Sequence, residues 1–135
     1  MPDAIPVLDS HALLAFFQGE PAATEVARYF DAALESGSEL PVCVVNWGEV
    51  AYIVLRERGE AAMERVIAGM DELPIALVDA DRELTLRAAR FKAAHPLSYA
   101  DSFCCALAEA LDSPVLTGDP EFRAVEGEIA LRFLD

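Results

Sequence analysis

Short runs of apolar residues alternate with amphipathic stretches along this chain, and that alternation restricts the possible folds more than any other feature. Ile5 to Leu8 is an apolar run ending at Asp9-Ser10, after which Ala12, Leu13, Phe16 and Phe17 recur at helical spacing. Pro21 opens a second helix with Val26, Tyr29, Phe30 and Leu34 on one face, and Gly37 closes it. Leu40 to Val45 has the apolar, β-branched pattern of a buried strand, and Asn46 then starts a helix running to about Gly59. Further on, helices are expected over about Glu60 to Glu72 and Ala80 to Ala94, with a strand at Pro74 to Val78 between them. Beyond Pro96, Tyr99 to Leu111 reads as a nearly all-apolar helix, Pro114 to Thr117 as a strand, Pro120 to about Val125 as a short helix and Ile129 to Phe133 as a last strand. Strands that are apolar throughout are buried on both faces, so the expected class is α/β, with a mostly parallel sheet of four to five strands covered by helices on each side. The absence of repeats, low-complexity tracts and long linkers makes residues 1–135 a single expected domain.

Charge narrows the possible partners. The chain carries 24 acidic against 10 basic residues, a net charge of −14, with Lys92 as its one lysine. Such a surface repels a polyanion at long range, so any contact with nucleic acid must be local, either through a divalent cation that inverts the sign inside one cleft or at a salt concentration that screens the rest. An acidic, lysine-poor surface would suit a salt-rich cytoplasm. The longest apolar run, Ala12 to Phe17, is far shorter than the ~20 residues of a membrane-spanning helix. Asp3 and Asp9, with no basic residue before Arg28, give the start of the chain no secretory character, so a cytoplasmic location without membrane contact is expected. Cys43 stands alone and Cys104 is adjacent to Cys105, which is neither a zinc spacing nor a disulfide framework; all three read as reduced, buried small hydrophobes.

Ligands of open parallel sheets bind outside the carboxyl ends of the strands. Asp9 directly follows the first strand, Glu49 lies early in the helix after the second, and Asp119 comes two residues after the strand ending at Thr117. Asp101 has no strand before it, but a charge set among Tyr99, Ala100, Phe103, Cys104 and Cys105 needs a partner. If these four carboxylates converged to within about 5 Å, each pair would repel by roughly 3 kcal/mol at an effective dielectric near 20. Six such pairs reach ~20 kcal/mol, more than the ~5–15 kcal/mol stability of a whole domain, so convergence demands protons or a cation. Oxygen-only ligands select hard ions, magnesium or manganese, which suit phosphoryl chemistry.

Each acid also has a simpler explanation. Asp9-Ser10, Asn46 with Glu49, Ser98 with Asp101, and Asp119 before Pro120 all have the form of helix caps, and a cap can hold a carboxylate ionised and ready for a metal. His11 and His95 lack a second ligand at metal spacing and are assigned no role. No serine or cysteine sits in a nucleophile elbow, and no glycine-rich phosphate loop is present. Trp47, Phe16 and Phe17 belong to the core by their spacing, and Arg87 with Arg90 is more simply a solvated helix flank than a phosphate site.

Four segments, in this order and at these separations, resemble the PIN-domain family and within it the VapC-like toxins of toxin-antitoxin pairs: Val7-Leu8-Asp9-Ser10-His11-Ala12-Leu13-Leu14, Val45-Asn46-Trp47-Gly48-Glu49-Val50, Leu97-Ser98-Tyr99-Ala100-Asp101-Ser102-Phe103, and Val115-Leu116-Thr117-Gly118-Asp119-Pro120-Glu121-Phe122. The resemblance spans essentially the whole chain. It implies a three-layer α/β/α sandwich and an acidic pocket holding one or two Mg2+ or Mn2+ ions. Asp9, Asp101 and Asp119 would then be metal ligands, and Glu49 would complete the catalytic set. Ser10 and Thr117 would orient carboxylates or waters. Glu121 stands where many relatives have a further acid, often Asp, and its longer arm argues against direct metal contact. His11 departs from the small hydroxyl or apolar residue common at its position. The implied activity is an endoribonuclease that uses metal-activated water on RNA, silenced by a cognate antitoxin and commonly homodimeric. Two alternatives stand beside it: a PIN-like binding module that cleaves nothing, and a nuclease of RNA maturation or decay without an antitoxin.

Overall fold

The computed structural model describes residues 5–135; Asp3 and the rest of the first four positions of the expected single domain lie outside them. The order is β1 (Val7–Leu8), α1 (Ser10–Phe17), α2 (Ala23–Ser36), β2 (Leu40–Cys43), α3 (Val44–Arg58), α4 (Glu60–Glu72), β3 (Ile75–Val78), α5 (Arg82–Ala94), α6 (Tyr99–Leu111), β4 (Val115–Thr117), a 3₁₀ segment Pro120–Val125, and β5 (Leu131–Phe133). Every ladder is parallel, with Val7 opposite Val115, Val115 opposite Leu131, and Leu40 opposite Ile75. The strands form two groups, β1-β4-β5 and β2-β3, and β1 runs beside β2 without a ladder between them. The expected parallel sheet is therefore present as five strands in two hydrogen-bonded groups.

Side chains on neighbouring strand positions point to opposite faces, and that period of two divides the core. Val7, Cys43 and Val115 pack with Phe91, Phe103 and Leu107 of α5 and α6. Their neighbours Leu8, Val42 and Leu116 pack on the other side with Leu13, Phe30, Val50 and Met70 of α1 to α4. The result is the α/β/α sandwich, each fully buried Leu, Val or Phe contributing about 1.5–3 kcal/mol. α6 is buried without a break from Asp101 to Ala108, because α5 covers it on one side and the strands on the other. The three cysteines are free and buried. No described helix is long and apolar enough to cross a membrane.

Several boundaries differ from those read in the sequence, each for a local reason. α3 begins at Val44 rather than Asn46, and Cys43 precedes it with no side-chain cap. Asn46 is fully buried inside the first turn, where its amide donates to the Ala100 carbonyl at 3.0 Å instead of capping its own helix. α5 starts at Arg82 because Asp81 caps it, accepting the Leu84 amide at 2.8 Å. Ile129 forms an isolated bridge with Glu126 and leaves β5 to begin at Leu131. Gly37 ends α2 as expected, its φ of 69° lying in the left-handed region where a side chain is strained.

Candidate metal centre

The carboxyl ends of β1 and β4 are adjacent, so the residues that leave them meet. Asp9 follows β1 and caps α1, its Oδ1 accepting the Ala12 amide at 2.8 Å. Its Oδ2 accepts a hydrogen bond from the Thr117 hydroxyl at the end of β4. The same hydroxyl oxygen accepts the Asp119 amide at 2.9 Å, so Thr117 ties the carboxylate behind it to the backbone of the one in front. Asp119 in turn caps the 3₁₀ segment, accepting the Glu121 amide at 2.9 Å.

The remaining two acids arrive from helices. Asp101 lies in the first turn of α6, where the Ser98 hydroxyl accepts its amide at 3.1 Å, and Asn46 anchors the preceding Ala100 to α3. Glu49 stands one turn beyond Asn46 on α3, and the Ser10 hydroxyl donates to its carboxylate. Packing of α3 on both α1 and α6 carries Glu49 towards this edge of the sheet.

Asp101, Asp119 and Glu121 each offer a carboxylate oxygen, and these oxygens lie within 4.8 Å of one another. Asp101 is buried, Asp119 half-buried and Glu121 exposed, so the cluster opens from the core to solvent. Asp9 lies behind it with 1% of its surface exposed. Burial pushes the Asp9 carboxyl up to about 7, against the Thr117 and Ala12 bonds that favour its charged form, and the charges of Asp101 and Asp119 add to the rise. Asp101 is raised to about 6, first by burial, against the Ser98 side chain, which favours the charged carboxylate, and then by Asp119, Glu49 and Glu121. Asp101 therefore feels the charge of Asp119, Glu49 and Glu121, and Asp9 that of Asp101 and Asp119.

Among the described residues, the ion pairs join Arg87, His95 and Arg123 to Glu83, Glu109, Glu126 and Glu128, and none reaches these five acids. An all-oxygen donor set with no protein cation fits a hard divalent ion and does not suit zinc or copper. Burial raises the Cys104 and Cys105 thiols, the latter to about 12, so neither offers a thiolate.

Of the residues singled out from sequence, the structure gathers Asp101, Asp119 and Glu121 in one cluster, with Asp9 behind and Glu49 within electrostatic reach of Asp101. Despite its longer arm, Glu121 has a carboxylate oxygen within 4.8 Å of those of Asp101 and Asp119. Ser10 and Thr117 hold the carboxylates of Glu49 and Asp9. Arg87 faces away from this edge and pairs with Glu109 at 2.8 Å. Sequence reading missed Asn46 as the tie between α3 and α6; its spacing to Glu49 imitates a capping box, and no local pattern signals a bond 54 positions away.

The fold is similar to that of several solved structures. VapBC from Salmonella typhimurium bound to DNA superposes with a TM-score of 0.73 at 15% identity, covering 98% of each chain. VapC20 of Mycobacterium tuberculosis, a sarcin-ricin loop cleaving toxin, gives 0.72 at 14% identity over 92% of this chain and 95% of that one. VapBC2 from Rickettsia felis, bound to a fragment of its promoter, gives 0.71 at 12% identity over 96% and 98%. These identities are low enough that the likeness establishes the fold alone. Curated protein sequences include no significant match to this chain. The PIN domain family model, however, matches residues 7–128, which is most of the 135-residue chain, and the chain belongs to the PIN domain family.

Proposed function

We propose that this protein is a Mg2+- or Mn2+-dependent endoribonuclease, the toxin of a toxin-antitoxin pair. The observation that carries the reading is the convergence of Asp101, Asp119 and Glu121 within 4.8 Å, backed by buried Asp9, with no ion pair to them among the described residues. Asp101, Asp119 and Glu121 would hold the ion, with Asp9 as a further ligand, directly or through water. A divalent ion bound there supplies activated water and neutralises charge on a phosphate.

The chain's own residues supply the rest. Thr117 fixes the orientation of Asp9, and Ser10 that of Glu49. Asp9 and Asp101, raised to about 7 and about 6, carry protons for part of the time near neutrality and release them when a cation arrives. The exposed side at Glu121 admits a phosphodiester, and hydrolysis in line with the leaving 3′ oxygen yields a 5′ phosphate and a 3′ hydroxyl. The related structures described as VapBC and as a sarcin-ricin loop cleaving toxin support RNA as substrate and a cognate antitoxin as partner. The family resemblance adds a cytoplasmic homodimer.

The net charge of −14 favours one rival, a binding module that cleaves nothing. Incubating structured RNAs with the purified protein separates the two. Cleavage is expected with manganese and lost both in chelator and in Asp101→Asn. A wild-type protein that binds manganese and leaves every RNA intact would support the rival, and cleavage surviving both treatments would mean a different chemistry.

A further inference from the structure

His11 departs from the family resemblance at its position and receives no role from it, but its surroundings point to one. It lies in the first turn of α1, between Ser10, which bonds Glu49, and Ala12, whose amide bonds Asp9. Its ring is exposed, so burial does not dictate where it rests. Yet the ring lies against Gly118: a Cβ built on that glycine would come within 2.5 Å of Cε1 and 2.8 Å of Nδ1.

Gly118 is not among the described glycines with positive φ, so no left-handed backbone calls for a glycine there. What the missing side chain provides is room for the imidazole. Gly118 is also the middle of the turn that ties the centre together, with Thr117 bonded to Asp9 on one side and Asp119 facing Asp101 and Glu121 on the other.

We propose that His11 is a positioning residue, its ring bracing the Thr117–Asp119 turn and so holding Asp119 opposite Asp101 and Glu121. The brace is a packing contact, so it depends on the ring's bulk beside Gly118 and not on a hydrogen bond from its nitrogens. Its consequence for cleavage rests on the nuclease reading; the brace itself does not.

The test compares His11→Ala, His11→Phe, Gly118→Ala and the double variant His11→Ala/Gly118→Ala. Exchange of the Asp119 amide in metal-free protein reports the turn directly, and calorimetry with manganese reports its effect on the centre. His11→Ala is expected to speed that exchange and weaken manganese binding about fivefold, less than the roughly 10–100-fold lost with a hydrogen-bonded partner of a metal ligand. Because the ring is exposed, the melting temperature should stay unchanged. His11→Phe should keep the wild-type exchange and affinity. Gly118→Ala, which pushes the ring out, should match His11→Ala, and the double variant should be no worse than either single one. Wild-type exchange and affinity in His11→Ala would overturn the proposal, as would a Phe variant as impaired as Ala. If the wild-type protein neither binds manganese nor cuts RNA, the nuclease reading fails, and the amide exchange still decides whether His11 braces the turn.

Discussion

The two ends of α6 hold acids in opposite circumstances. At its start, buried Asp101 meets Asp119 and Glu121 within 4.8 Å, and no ion pair among the described residues reaches them. At its end, Glu109 lies 2.8 Å from Arg87, with its side chain 47% exposed, and His95 lies 3.1 Å from Glu128 nearby. Water and a protein cation satisfy the second group at little cost. The first group has no such cation among the described residues, and at its buried end protons or an ion from solution must offset the charge, which is why one end of the helix is a candidate site and the other is ordinary surface.

Neutralising the crowded end should break this contrast most strongly. Asp101→Asn is expected to lower manganese-dependent cleavage by at least about a hundredfold, the upper end of what loss of even an outer partner costs. The same substitution should raise the melting temperature of the metal-free protein, because it removes a buried charge that burial and Asp119 disfavour. Opposite signs for activity and stability mark a charge kept for function; a fall in both would make Asp101 a structural cap.

The pH dependence sharpens the same point. Burial raises the Asp9 carboxyl from its ordinary 3.8 to about 7 in the folded protein, so the stability it contributes is fully present at low pH, where the folded and unfolded forms are both protonated. It is lost progressively as pH rises from about 3.8 through about 7, by on the order of 4 kcal/mol in all at the ~1.4 kcal/mol that each unit represents. Asp101, raised to about 6, loses stability in the same direction. Melting in chelator should therefore fall from pH 5 to pH 8, and added manganese should reverse the trend by binding the ionised folded form. A chelated protein equally stable at both pH values would mean that the acids are better compensated than their surroundings indicate.

A smaller effect is expected from the residue that links the front and the back of the centre. Thr117→Val keeps the shape and removes the hydroxyl that donates to Asp9 and accepts the Asp119 amide. Loss of a hydrogen bond to a charged group costs about 1.5–3 kcal/mol, so manganese affinity should drop by roughly tenfold or more. Since the Thr117 bond favours the charged form of Asp9, its removal should also move the pH-dependent loss of stability to higher pH. An unchanged affinity would mean that Asp9 is held by the Ala12 amide alone.

How much of this could be read from the sequence depended on whether the cause was local. The apolar runs at Val7–Leu8, Leu40–Cys43 and Val115–Thr117 announce buried parallel strands because both faces of each are covered, and their ends mark where Asp9 and Asp119 stand. From its own surroundings in the sequence Asp101 stood out only as a charge in an apolar helix, and the family resemblance alone placed it among the metal ligands. The fact that brings it to the site, Asn46 reaching Ala100 across 54 positions, belongs to tertiary packing and leaves no periodic trace. The His11 ring on Gly118 joins two segments of the chain that only the pairing of β1 with β4 makes neighbours. Helix starts shifted for a similar reason: Asn46 has the chemistry of a cap, but a buried partner on α6 claims its amide.

The smallest effect belongs at the far end of α6, and it is the control for all the others. Glu109→Gln neutralises an acid on the same helix as Asp101→Asn, with the same change of charge and nearly the same change of atoms. Arg87 keeps Glu83 at 4.0 Å, and exposed pairs of this kind contribute about 0–1 kcal/mol. The expected result is a slight loss of stability that shrinks further in salt, with cleavage and manganese affinity at wild-type values. If Glu109→Gln instead stabilised the metal-free protein or cut cleavage as Asp101→Asn does, the net charge of −14, and not the local crowding of carboxylates, would govern both ends of the helix.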